Sequence, residues 1–154
     1  MKPWKTKSRQ IVFEQRPWLR VEYHTVELPD RRLIPDWPWI ITPDYVNVVA
    51  VTEDERFLCF RQVKYGVEGT TLGIVGGFVE EGEGPFQAAQ RELREETGYE
   101  STDWIPLGSY RVDPNRGVAM GHLYLARQVR YVTPRNADDL EEQELILLAR
   151  PELE

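Results

Sequence analysis

Residues 85–97, PFQAAQRELREET, read as a helix and constrain the fold more than any other stretch. Pro85 suits a first turn, where the amide it lacks has no intrahelical partner. Gly98 is a natural stop. Phe86, Ala89 and Leu93 fall at i, i+3 and i+7 and predict an apolar stripe. The segment 76–99 also carries six glutamates. Glu92, Glu95 and Glu96 fall at i, i+3 and i+4, which predicts one shared face.

Two readings of that acidic face compete. A solvated helix face tolerates it, because like charges at i and i+4 cost only about 0.2–0.5 kcal/mol in water. The sharper reading is a site for a hard divalent cation, since Mg²⁺ takes carboxylate oxygens and commonly bridges to phosphates. The glycines Gly76 and Gly77 permit close backbone approach, and a carbonyl from that turn could add a ligand. Such a site suits hydrolysis of phosphate esters or pyrophosphates.

The rest of the chain predicts strands. "WLRVEYHTVEL" alternates, and "RRLIPDWPWII" follows the turn-forming Pro29-Asp30, giving a β-hairpin or small sheet over residues 1–42. "YVNVVAVT" and "FLCFRQVKY" flank the polar "EDER" as a second hairpin. The glycine-rich 66–84 mixes strand and loop. "DWIPLGSYRV", "VAMGHLYLARQV" and "ELILLA" read as further strands, and "RNADDLEEQ" as a polar loop. Many strands with one helix imply α+β or a mixed-sheet α/β sandwich.

At 154 residues, 41% hydrophobic and 11% aromatic, the chain suits one globular domain. A formal net charge of −7 disfavours nonspecific nucleic-acid or anionic-membrane binding. No signal peptide or bilayer-length apolar run is visible, so the cytoplasm is the expected compartment. The single cysteine, Cys59, sits in an apolar run and reads as a reduced core thiol.

The helix and its approach resemble the Nudix box of the Nudix hydrolases. Gly77, five residues, Glu83, seven residues and then "RELREETGY" follow that pattern. Seven matching identities (Arg91, Glu92, Leu93, Glu95, Glu96, Gly98 and Tyr99) would coincide by chance on the order of 10⁻⁸ per window. The resemblance implies an α/β/α sandwich around a mixed sheet, with the box at 77–99 inside a domain spanning 43–154. Residues 1–42 would be an N-terminal β extension that builds a homodimer. Glu92, Glu95 and Glu96, with the Gly76 carbonyl, would hold Mg²⁺ or Mn²⁺. Glu83 and Arg91 would form the ion pair that pins the loop to the helix.

"FRQVKYGVEGTTLGIVGG" is similar to the ADP-ribose pyrophosphatase branch of that family. In the turn before the box, however, Gly73 stands in place of an acidic residue and Val75 in place of a proline. "DPNRG" places Pro114 where the branch carries a proline associated with ADP-ribose-type substrates. It is also an ordinary turn sequence. "DDLEEQEL" resembles the branch's late acidic loop, whose glutamate serves as general base; Glu142 is the preferred match and Glu144 the second, with Glu95 competing. The branch continues past its last strand into a helix, and "LLARPELE" stands where that helix is expected to begin.

The expected activity is therefore metal-dependent hydrolysis of the diphosphate in ADP-ribose or a related nucleoside diphosphate sugar. Arg61, Lys64 and Arg116 are candidates for phosphate contacts, arginine being suited to bidentate ones. Trp37 and Trp39 could stack on the base, or simply pack. A housecleaning hydrolase of modified nucleoside triphosphates and a noncatalytic nucleotide-sugar sensor are the competing readings.

Overall fold

The computed structural model describes residues 1–136 and 142–153. They fall into two compact units, Met1–Asp44 with Tyr110–Met120, and Tyr45–Ser109 with Gly121–Glu154.

The first unit is built on a three-stranded antiparallel sheet of β1 (Lys5–Gln15), β2 (Leu19–Glu27) and β3 (Leu33–Ile41), in that order. The buried face of β2 is not its more apolar one. Glu22, His24 and Val26 are buried, whereas Tyr23 is exposed. The charge is accommodated because Glu22 Oε2 lies 2.8 Å from His24 Nε2 and Glu22 Oε1 lies 2.9 Å from Arg20 Nε. A buried carboxylate is tolerable only with such partners. Every residue of β1 is exposed, and it forms one edge of the sheet.

The second unit is organised by a mixed sheet. Strands β4 (Tyr45–Thr52), β5 (Phe57–Val63), β6 (Thr70–Gly73), β7 (Val75–Phe78), β8 (Tyr99–Glu100), β9 (Asp103–Asp113), β10 (Val118–Tyr131) and β11 (Gln143–Leu148) take part. The central order is β11-β5-β4-β10-β8, with β6 on β5, β7 on β4 and β9 on β10. The β4–β10 pair is parallel, and the other pairings with a recorded register are antiparallel. Alternate residues Val46, Val48 and Ala50 of β4 are buried, and three consecutive residues of β5, Leu58, Cys59 and Phe60, are buried on both faces.

Helix α1 (Pro85–Glu92) packs on β4 and β7. Ala88, Ala89 and Leu93 join Val46, Val48, Leu58, Phe60 and Val75 in the core. Phe86, expected in that stripe, is half exposed instead and meets Trp104 edge-on at 5.5 Å. The two alanines let the helix approach the sheet closely. Each larger apolar side chain buried there contributes roughly 1.5–3 kcal/mol. Among the described residues no helix is long and apolar enough to cross a membrane.

Candidate functional site

The helix expected over 85–97 is α-helical only to Glu92; Leu93–Thr97 form a π turn. The wider turn frees carbonyls that an α-helix would use internally. Thr97 Oγ1 donates to the Leu93 carbonyl, and the Asn136 N–H donates to the Glu95 carbonyl at 2.8 Å. Gly98 then ends the helix at φ 77°. A Cβ there would stand 2.0 Å from the Thr133 carbonyl, so both the conformation and the space require glycine.

The π turn carries Glu95 and Glu96, while Glu92 ends α1. Glu92 and Glu96 turn toward β7. A Cβ at Gly77 would come within 2.1 Å of Glu92 Oε1, and the Gly76 N–H donates to Glu96 Oε2 at 3.1 Å. A Cβ at Gly76 would meet the Val46 carbonyl at 2.5 Å, so β7 has room at these two positions only for glycine. The Glu95 side chain is about half exposed. The i, i+3, i+4 spacing presumes an α-helix throughout, whereas Glu95 and Glu96 lie on the π turn.

Arg91 ties these groups together with all five of its N–H bonds. Nε donates to Glu83 Oε1 and Nη2 to Glu83 Oε2, both at 3.0 Å. Nη2 also donates to the Phe78 carbonyl at 3.0 Å. Nη1 reaches Glu92 Oε1 at 2.7 Å and Glu95 Oε2 at 3.2 Å. The hydrogen bonds from Arg91 hold the Glu83 carboxyl below the usual carboxylate range. The same bonds, that to Glu83 foremost, push the guanidinium further from deprotonation. Glu83 also accepts the Glu80 N–H at 3.2 Å, closing the loop before α1.

The donor set suits a hard divalent cation. It consists of carboxylate oxygens, with two of the three carboxylates seated on glycine backbone. Among the described residues, no three acidic, His or Cys side chains converge closely enough to hold a metal in this arrangement. Nη1 of Arg91 is the cation that Glu92 and Glu95 share. Beside Glu95 opens a cavity of about 640 Å³, lined among others by Gln90, Arg94, Ser101, Trp104 and Asn136.

Other expected site residues lie elsewhere in the second unit. Arg61 on β5 donates from Nη1 to Glu144 Oε2 on β11 at 2.7 Å, and the two residues are directly opposite in register. Lys64 follows the end of β5. The Glu142 carbonyl accepts the Val63 N–H at 3.4 Å. Residues 137–141, the rest of the acidic loop, lie outside the described residues. A residue the sequence reading passed over is Gln62. A Cβ at Gly73 would meet its Nε2 at 2.1 Å, so the Gln62 carboxamide fills the space beside the position where the resembling branch has an acid. Strand pairing of Phe60 with Gly73 creates this proximity, which no local pattern announces.

In the first unit, Trp37 Nε1 donates to the Asn115 carbonyl at 2.8 Å, and Trp4 meets Trp37 edge-on at 5.3 Å. Trp39 stacks on His24 at 5.1 Å and 17°. These side chains, with Pro114, line a cavity of about 330 Å³. Arg116 donates to Asp113 Oδ2 at 2.8 Å within the turn between β9 and β10.

A family model for the NUDIX domain matches residues 42–152. The chain is 31% identical over 146 residues to a methanol dehydrogenase activator of Bacillus methanolicus, covering 92% of this chain and 75% of that protein. It is 30% identical over 112 residues to an ADP-ribose pyrophosphatase of Bacillus subtilis, covering 73% of this chain and 60% of that one. A crystal structure of an ADP compounds hydrolase aligns with a TM-score of 0.81 at 20% identity, over 99% of this chain and 82% of the other.

Proposed function

Because the chain belongs to the Nudix hydrolase family, we propose that it cleaves the phosphoanhydride of ADP-ribose or a related nucleoside diphosphate sugar. Water attacks one phosphorus, the bridging P–O bond breaks, and two phosphate monoesters leave. With ADP-ribose these are AMP and ribose 5-phosphate. The observation that carries this reading is the seating of Glu92 and Glu96 on Gly77 and Gly76, beside a guanidinium clamped to Glu83.

Glu92, Glu95 and Glu96, with the Gly76 carbonyl, would hold Mg²⁺ or Mn²⁺. The cation supplies positive charge against the phosphates and makes a coordinated water more acidic. The protein's own part is to fix the carboxylates in place. Glu83 and Arg91 do so by tying the loop to the helix, and the two glycines do so by admitting the carboxylates to the strand backbone. The water's proton passes to a carboxylate, with Glu95, Glu142 and Glu144 as the candidates. Glu142 keeps its preference on the resemblance, since Glu95 and Glu144 are each already paired with an arginine, Arg91 and Arg61 respectively.

Arg61 and Lys64 of the second unit are assigned to phosphate contacts. Taken by itself, the first unit offers Arg116, Trp37 and Trp39 as candidate substrate contacts, and His24 already covers one face of Trp39. The name of the B. subtilis relative supports the ADP-ribose assignment. The exposed β1 edge, with Ile11 and Phe13 about half exposed, supports a homodimer formed through the first unit. A monomer at micromolar concentration in analytical ultracentrifugation would remove the dimer assignment.

The deciding experiment incubates the protein with Mg²⁺ and follows AMP from ADP-ribose beside pyrophosphate from nucleoside triphosphates. AMP release is expected to dominate. Pyrophosphate release alone would transfer the assignment to a triphosphate hydrolase. Absence of any turnover would favour a sensor, a reading that the guanidinium bridging Glu92 and Glu95 keeps specific.

A further inference from the structure

Arg91 faces three carboxylates with one charge, and its donors divide into two groups. Nε and Nη2 grip both oxygens of Glu83 and the Phe78 carbonyl. Nη1 makes one bond each to Glu92 and Glu95. The first group is a two-pronged guanidinium–carboxylate contact, the geometry that arginine holds best. The second group consists of single bonds, one of them to a half-exposed partner.

We propose that Arg91 is the resident counter-cation of the glutamate cluster. Loading a divalent cation requires Nη1 to release Glu92 and Glu95 while Nε and Nη2 remain on Glu83 and Phe78. This inference rests on the metal-dependent reading above.

The physical argument is competition for the same oxygens. A hard cation binds a carboxylate oxygen at about 2.0–2.1 Å, which brings it well inside the first few ångströms of a group hydrogen-bonded to that carboxylate. Two cations so close repel strongly wherever water is thin, and Glu92 is largely buried. Before loading, Nη1 keeps Glu92 and Glu95 from repelling each other. After loading, the divalent cation takes over that neutralisation, and the Glu83 grip keeps the helix in register. Arg91 is in this sense a positioning residue whose removal has opposite effects on the loaded and unloaded forms.

Two measurements test this on the full chain. The first follows the Arg91 side-chain nitrogens and the Gly76 and Gly77 amides by NMR during a Mg²⁺ titration. The Nη resonances should shift in step with the two glycine amides while Nε–H stays protected. Glycine shifts with unchanged Nη resonances would overturn the inference and leave the metal-dependent reading intact. No response from either would overturn both. The second measures Mn²⁺ affinity by electron paramagnetic resonance. Arg91→Gln should bind about tenfold tighter than wild type, the scale of a lost competing charge-assisted bond, and should melt at a lower temperature without metal. A role limited to pinning the helix predicts weaker Mn²⁺ binding instead, so equal or weaker affinity in a folded variant rejects the proposal. Should that variant not fold, the wild-type titration alone decides.

Discussion

Gly77 and Glu92 are so closely apposed that a methyl group on the former would stand 2.1 Å from the carboxylate oxygen of the latter. Gly77→Ala must therefore move either β7 or the glutamate. The expected result is a fall in turnover of at least about tenfold, the usual scale for disturbing the support of a metal ligand. Steady-state kinetics at saturating Mg²⁺ would measure it. Unchanged turnover would show that Glu92 can leave the strand without consequence.

Glu96 accepts the Gly76 N–H, and a glutamine in its place keeps an oxygen for that bond. Glu96→Gln should preserve the fold while lowering turnover by about a hundredfold or more. Circular dichroism and ADP-ribose hydrolysis, taken together, separate the two effects. Turnover within a few-fold of wild type would sink the ligand assignment.

Glu83 makes stability depend on acidity. Its carboxyl is held below the ordinary value of 4.5, chiefly by the Arg91 hydrogen bonds. A carboxyl with a depressed folded value stabilises fully above its unfolded value and loses that contribution as pH falls through the folded one. Glu83→Gln should therefore melt below wild type at neutral pH, and the gap should close below about pH 4.5. Thermal scans between neutral pH and acid test this; a gap that widens toward acid contradicts the sign.

Gly117 adopts φ +72° with the Trp39 ring 2.1 Å from where a Cβ would sit. Gly117→Ala combines left-handed strain with a clash against a rigid ring. It should cost about 1–3 kcal/mol, read from the denaturation midpoint of tryptophan fluorescence. No change in midpoint would mean that Trp39 is free to move.

The local code predicted much of this fold. Pro85, Gly98 and the alternation in "YVNVVAVT" each report a short-range requirement, and the helix and the β4–β5 hairpin follow from them. The i, i+3, i+4 spacing marked the three glutamates, and the resemblance to the Nudix box marked Glu83 and Arg91. What escaped were features set by distant partners. The π turn depends on Thr97 and on Asn136, far along the chain. The buried Glu22–His24 pair runs against the rule that charge ordinarily faces water, so no local pattern announces it. Gln62 acquires its place only through pairing of β5 with β6. Arg61 and Glu144, read separately as phosphate and proton-transfer groups, proved to be opposite each other across two strands.

Cys59 is closed off at 2% exposure in the middle of β5, opposite Ile146 of β11, and burial pushes its thiol up from the ordinary range. A solvent-borne electrophile can consume that sulfur only after the central strands part. The lone thiol is thus a native clock for opening of the second unit, one that ticks faster with every substitution that loosens the sheet and stays silent toward changes confined to its surface.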